Sequence, residues 1–356
     1  MEYINNLPQA ESKLCATEQF LKTIGILNEH LSLIRAWLVH VYLAKEPIVL
    51  QIVDDQGIHG KEAANRLKDL IDPSAEECIP MPKKAKDIVE CGFDEYLLHF
   101  SVVSNQNLSQ EQQETLLTMT TNKGAKANAI NSRKKEAECH VKRAVILSTQ
   151  SNVISLPLLQ ARTLTIELNP TEKSSSLTLL ALWHTDLVRR ELLECAIFIA
   201  TKRFNSSHQT NLSVTTSSPS FKEYLTFGQH LENLLDGGSG SFISQFSRHM
   251  ELDMLSRLNN DEDEEIGFLL LQWAKDNCGK TKTQPIGHWQ TTLERVAADN
   301  SASIVDMSPR KIGATFKKLK PTFKQLGITL EPVKDCSRFC EWTVTVRKTV
   351  GLINNV

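Results

Sequence analysis

The chain reads as an α/β protein. A mainly parallel sheet is followed by a helical region and then by a small unit of three helices closed by a hairpin. Three observations predict this. Short apolar runs recur at 48–53 (IVLQIV), 96–103 (YLLHFSVV), 141–147 (VKRAVIL) and 164–168 (LTIEL), with helical stretches between them. Fully buried parallel strands have that pattern. The first run is followed by a polar turn, Asp54 to Lys61, and then a helix, which is the order of a phosphate-binding loop. Near the end, Ser308-Pro309 opens a basic helix that leads to the alternating strand 339–346.

Taken in order, residues 11–45 place Leu21, Ile24, Leu27, Leu31, Ile34, Trp37, Leu38 and Val41 at three- and four-residue spacing, so one helical stretch is expected up to Glu46-Pro47. After the strand at 48–53, a helix is expected over 62–71 and another over 111–119, and the core closes near Asn169-Pro170. Residues 175–258 are mostly helical by pattern, interrupted by the Ser/Thr-rich stretch 205–220 and the Gly-rich stretch 236–240. The acidic run 261–265 reads as a solvated helix start. Beyond it, Phe268, Leu269, Leu271 and Trp273 begin a helix, 289–298 forms a second, and Ser308 caps a third with Pro309 at its first position. Ile312, Phe316, Leu319 and Phe323 keep helical spacing there, and Pro321 is expected to kink or split the helix. Three helices and a terminal hairpin make a winged helix. The expected division is 1–45, an N-terminal helical segment; 46–170, the α/β core; 171–260, a helical domain; and 261–356, the winged-helix-like domain.

The totals narrow the function classes. The 356 residues are too many for one core. A formal net charge of −2 excludes a chain that is basic throughout, so any nucleic-acid surface must be local. No apolar run is long enough to span a membrane. The opening MEYINNLPQAESK lacks the basic-then-apolar order of a secretory leader, and eight scattered cysteines fit a reduced, cytoplasmic setting. Cys336 and Cys340 are the one suggestive pair, but two ligands do not make a zinc site, and no metal is expected.

The order of these segments resembles primase–helicase-like P-loop ATPases of phages and integrative mobile elements, over roughly residues 30 to 348. In such proteins a glycine-rich loop ends in Gly-Lys-Ser/Thr, whose amides and lysine hold phosphates and whose hydroxyl holds magnesium. Here Gly60 and Lys61 match, Asp55 stands at the first glycine, and Glu62 stands at the hydroxyl. The resemblance implies an acidic residue at the end of the second core strand, where Ser101 and Val102 stand instead, with Asp94 and Glu95 at the other end of that strand. Both losses imply a degenerate core that does not hydrolyse ATP. No cofactor is expected, ATP with magnesium being the one weighed and disfavoured. Read without the resemblance, 54–61 is a plain strand–helix turn.

The same resemblance implies a hairpin near 119–138 that touches nucleic acid, with Lys123, Lys126, Arg133, Lys134 and Lys135 as its cations. It implies polar sensor positions among Ser148, Thr149 and Asn152. It also implies an arginine before the last core strand, matched by Arg162, which would face phosphate in an oligomer or serve as an ion-pair partner. The terminal domain adds Arg310, Lys311, Lys317, Lys318, Lys320 and Lys324, within fifteen residues and with no acidic residue between them. Phosphate attraction explains such density, and so does the exposed face of a helix packed by its other side. The function expected is a DNA-binding protein of mobile-element or phage replication on an inactive helicase-type core. It would bind single- or double-stranded DNA and act as a homo-oligomer or with an active helicase partner. The alternatives are an active divergent DNA-dependent ATPase and a regulatory factor that binds replication proteins.

Overall fold

In the computed structural model the described residues are 15–57, 59–73, 78–93, 95–102, 107–121, 124–130, 136–168, 177–205, 219–235, 241–256, 261–299, 307–333 and 341–347. They form two compact units. The first comprises 1–212 with 220–243, and the second 213–219 with 244–356. The expected segments 1–45 and 46–170 lie together in the first unit, and 171–260 is divided between the two.

The first unit is built on a five-stranded parallel sheet. Its strands are β1 (Val49–Val53), β2 (Ile79–Pro80), β3 (Leu97–Val102), β6 (Ala144–Thr149) and β7 (Thr163–Glu167), in the order β2-β3-β6-β1-β7. The intervening β4 (Ala125–Ile130) and β5 (Glu136–Val141) pair only with each other, as an antiparallel hairpin. The expected strand 141–147 is therefore two things. Val141 ends the hairpin, Lys142 and Arg143 make the turn, and the sheet strand begins at Ala144.

Alternate residues of each strand face opposite layers. Leu98, Phe100, Val102, Val145 and Leu147 enter one apolar core. There they meet Ile88 and Val89 of α4 (Ala85–Cys91) and Leu116 and Met119 of α5 (Gln110–Met119). The other face carries α3 (His59–Ile71), which packs on β1, β3 and β6. Ser109 caps α5 in a full capping box with Gln112.

The expected helix over 11–45 is broken. α1 (Cys15–Thr23) and α2 (Leu31–Leu43) are separated by Gly25, at φ 85°, and a short 3₁₀ turn at Asn28–His30. The three- and four-residue spacing continues across the break because both helices bury apolar faces, which is why the pattern alone hid it. α2 is buried on nearly every side, and the Trp37 indole N–H donates to the Ile48 carbonyl at 3.2 Å. The long α7 (Leu177–Asn205) and α8 (Lys222–Leu235) pack against α1 and α2, and the Tyr224 hydroxyl donates to Leu33 O at 2.9 Å.

The second unit holds most of α9 (Ser241–Ser256), then α10 (Asp261–Asp276), β8 (Thr281–Pro285), α11 (Ile286–Asp299), α12 (Pro309–Gln325), β9 (Ile328–Pro332) and β10 (Glu341–Val346). Its sheet is antiparallel in the order β8-β10-β9. β8 escaped the sequence reading: TKTQP has no apolar alternation and ends in proline, as an edge strand can. A chain of edge-on rings, Trp273–Trp289–Phe316–Trp342 at centroid spacings of 4.9, 5.9 and 5.5 Å, forms the core. α10 begins at Asp261, so the acidic run is its first turn, and Asp263 is buried rather than solvated. α12 runs unsplit through Pro321, which lies on its exposed side. Cys336 and Cys340 lie outside the described residues.

Candidate functional site

The segment that joins β1 to α3 occupies the carboxyl end of an interior strand, where parallel α/β sheets gather ligands. Its geometry is set by Asp54. The Asp54 amide is anchored to Thr149 O at 2.9 Å, and its carbonyl accepts from Gly57 N at 2.9 Å to close a turn. Gly57 makes that turn at φ 70°, with the Gln150 side chain close against it. The Asp54 carboxylate then folds back over the start of α3. Oδ2 accepts from the amides of His59 (2.7 Å) and Gly60 (2.8 Å), and Oδ1 from Gln56 N (3.2 Å). Asp54 is 4% exposed. A Cβ on Gly60 would meet Asp54 Cβ at 2.9 Å, so glycine is what lets the carboxylate sit there.

Gly60 and Lys61 lie in the first turn of α3, which begins three residues before the helix expected from 62, and the His59 and Gly60 amides there already hold a negative charge. Lys61 is exposed. Glu62 is exposed too and lies 3.7 Å from Arg66 one turn on. Asp55, in the same loop, is exposed as well.

At the second expected position, Val102 is buried in the apolar core and Ser101 is half-buried. Asp94 lies outside the described residues. Glu95, at the opposite end of β3, is held by Lys68 of α3 in a buried ion pair of 2.5 Å. A residue that the sequence reading missed fills the region between α3 and the sheet. The buried His99 ring bridges three elements, with Nδ1 2.6 Å from Asn65 Oδ1 and Nε2 2.8 Å from Ser148 Oγ, while Cys78 Sγ lies 3.9 Å from Nε2. With Asn65 accepting from Nδ1, Nε2 accepts from the Ser148 hydroxyl. A histidine inside the apolar run YLLHFSVV was the available signal.

The sensor candidates have local partners. Ser148 bonds His99, Thr149 accepts from Gln51 Nε2 at 3.2 Å, and Asn152 Oδ1 accepts from Ile154 N at 3.2 Å. Arg162 is buried at the start of β7, at the opposite end of the sheet from Gly60 and Lys61. Its guanidinium donates to Glu46 Oε2 (3.1 and 3.2 Å), to Thr120 O (2.9 Å) and to Ser220 Oγ (3.4 Å). Next to it, burial pushes the His40 imidazole down to about 3; a backbone contact from Glu46 opposes this and the Arg162 charge reinforces it.

The basic candidates divide between the units. Lys123 and the hairpin tip with Arg133, Lys134 and Lys135 lie outside the described residues. Lys126 is placed on β4, paired in register with His140. The remaining candidates share α12 of the second unit. Ile312, Phe316, Leu319 and Phe323 are fully buried, so the opposite side faces water. Residues seven apart on a helix point within about 20° of each other, about 10 Å apart along the axis. Arg310, Lys317 and Lys324 are so related, all exposed, with exposed Lys320 flanking them. Lys311 and Lys318 make a second pair along the side. Lys318 is engaged there: it and the Thr315 hydroxyl both donate to the buried Asp263 carboxylate of α10. Burial alone would raise that carboxyl, but the hydrogen bonds from Lys318 and Thr315, with the Lys318 charge, hold it below the ordinary carboxylate range. The structure therefore separates the expected phosphate loop, in one unit, from the cationic helix, in the other.

No family model matches the chain, and no curated protein matches it. Among solved structures the chain is similar to the apo A form of the NrS-1 C-terminal region, at 15% identity over 93% of this chain and 74% of that one, with a TM-score of 0.37. It is similar to SCCmec type IV Cch, an active helicase, at 11% identity over 97% and 69%, with a TM-score of 0.36. Inhibitor-bound JCV helicase shares 13% identity over 62% and 66%, with a TM-score of 0.30. Similarity at this level assigns no role to any residue of this chain.

Proposed function

We propose that this chain is a nucleic-acid-binding protein of phage or mobile-element replication, built on a helicase-type ATPase core that does not turn over ATP. The observation that carries the reading is the outward stripe of Arg310, Lys317 and Lys324 on α12, a helix with no acidic residue. Such a stripe neutralises phosphates, and its affinity falls with salt through counterion release. A strand between the first and second helices and a hairpin after the third is the order of a winged helix, and α12 is the helix it would present to DNA. The absence of turnover is supported by Glu62 at the magnesium position and by Ser101 and Val102 at the end of β3. The exposed Lys61 favours a second reading, a divergent DNA-dependent ATPase.

Anisotropy with labelled duplex and single strands across a salt series, beside ATP turnover, tests both readings. The wild-type chain is expected to bind with a steep negative salt dependence and no turnover. The triple variant R310A/K317A/K324A is expected to lose about 100-fold in affinity and to flatten the log–log salt slope by about 2 to 3 units, near 0.9 per lost phosphate contact. Salt-insensitive binding, or an unchanged triple variant, sinks the proposal. DNA-stimulated turnover abolished by Lys61→Ala would establish the second reading instead.

A further inference from the structure

We infer that Asp54 is the resident anion of the β1–α3 loop, and that it closes from inside the chain a site whose geometry otherwise suits a phosphate. This deepens the reading of the core as inactive and rests on taking 54–61 as a loop of the phosphate-binding kind.

Three independent observations carry it. The first is chemical. A carboxylate and a phosphate seek the same partners, backbone N–H groups at the positive end of a helix. Asp54 already takes the amides of Gln56, His59 and Gly60, two of them at 2.7 and 2.8 Å. The second is steric. Asp54 is nine-tenths buried, and its Cβ lies 2.9 Å from where a Gly60 side chain would begin, so the carboxylate fills the space above the first turn of α3. The third is that the loop is held in this form by other elements. Thr149 O fixes the Asp54 amide, and the Gln150 side chain packs against Gly57. An incoming phosphate would have to displace a charged acceptor that costs no translational entropy to hold. The amides it would need are already taken by Asp54. The inactivity of the core is thus not only a matter of missing magnesium ligands. It begins earlier, with polyphosphate binding itself.

The test is calorimetric titration of the full chain with inorganic pyrophosphate, and separately with ATP and magnesium. The wild type is expected to show no binding at millimolar ligand. Asp54→Gly removes the occupant and is expected to bind pyrophosphate at least tenfold tighter than wild type. Asp54→Ser keeps one acceptor for the helix amides. It serves as the second variant should the glycine form fail to fold, and is expected to fall between the two. In parallel, the amide resonances of His59 and Gly60 in the wild type are expected to stay fixed as pyrophosphate is added. Pyrophosphate bound equally by wild type and a folded variant, or a shift of those amides in the wild type, overturns the inference. The failures are distinguishable. Pyrophosphate binding by the wild type without turnover removes only the self-occupied loop. Turnover of ATP by the wild type removes the inactive-core reading, while the loss of DNA affinity in R310A/K317A/K324A stands or falls by itself.

Discussion

The two units treat charge in opposite ways. In the first, charged and polar groups at both ends of the sheet are turned inward and consumed by partners. Asp54 is held by three loop amides, Lys68 by Glu95, His99 by Asn65 and Ser148, and Arg162 by Glu46 and Thr120. In the second, α12 turns its aromatic residues inward and its cations outward, so Arg310, Lys317, Lys320 and Lys324 face solvent. The sequences of the two regions are similarly rich in lysine and arginine. What differs is whether the fold supplies a counter-charge. Lys68, Glu95 and Arg162 are structural parts of the first unit; Arg310, Lys317, Lys320 and Lys324 on α12 are available to a ligand.

The largest effect that would break this contrast lies in the first unit. Lys68→Met leaves Glu95 buried without its cation and is expected to destabilise the protein by about 3–5 kcal/mol, read by chemical denaturation of the full chain. The double variant Lys68→Met with Glu95→Leu is expected to recover most of that loss. A neutral single variant would show that the pair is dispensable and that the first unit does not depend on its internal charge balance.

The next effect is a pH dependence. His40 has its folded pKa pushed down to about 3, against an ordinary histidine value near 6.5. Between those values the unfolded chain binds more protons than the folded one. Stability is therefore full above about pH 6.5 and declines as pH falls towards 3, by about 2 kcal/mol at pH 5. Denaturation midpoints at pH 7.5 and pH 5 measure it. His40→Gln is expected to start from a lower baseline and to lose this part of the slope. A His40→Gln chain with an undiminished slope would move the pH sensitivity to another group.

The smallest effect sharpens the contrast within the second unit. Lys318 belongs to the basic helix by sequence but is tied to Asp263. Asp263→Asn leaves one accepting oxygen for two donors and is expected to cost about 1 kcal/mol of stability, for the bond that is lost. It is also expected to tighten DNA binding severalfold by freeing Lys318. Weaker DNA binding in Asp263→Asn would mean that Asp263 sets the position of α12, rather than merely competing for one lysine.

How much of this was legible depends on what each residue answers to. The central strands were visible because Val49–Val53 and Leu97–Val102 are buried on both faces, so their apolar runs carry the signal alone. β2 is two residues long, and β8 is polar with a proline, so neither has a pattern to detect. The inward face of α12 was read correctly from Ile312, Phe316, Leu319 and Phe323 because helical spacing is a local property. The loop was harder. The motif spacing puts Asp55 at the first-glycine position, while the carboxylate on the helix amides is its neighbour Asp54. Its role depends on a chain reversal over six residues, which no spacing rule encodes. His99 was opaque for a related reason, its partners being 34 and 49 residues away; an ion pair was among the readings of Arg162, but its partner Glu46 lies 116 residues away.

The strand order of the first unit has a further consequence, for how the chain reaches its shape. β1, the second strand from one edge, has no neighbour that is close in sequence. Gln51 meets Thr149 across 98 residues, and β7 is further still. A ribosome must deliver the chain past residue 167 before Val49–Val53 can be covered on both sides, and past residue 149 before it can be covered on one. Until then one of its most apolar segments has no ladder to join, and long-range parallel pairing is slow to form. The nascent first unit should therefore be the aggregation-prone intermediate of this protein and the stage at which it depends most on chaperones. The second unit, whose β9 and β10 are neighbours in sequence, can close soon after its last strand is made.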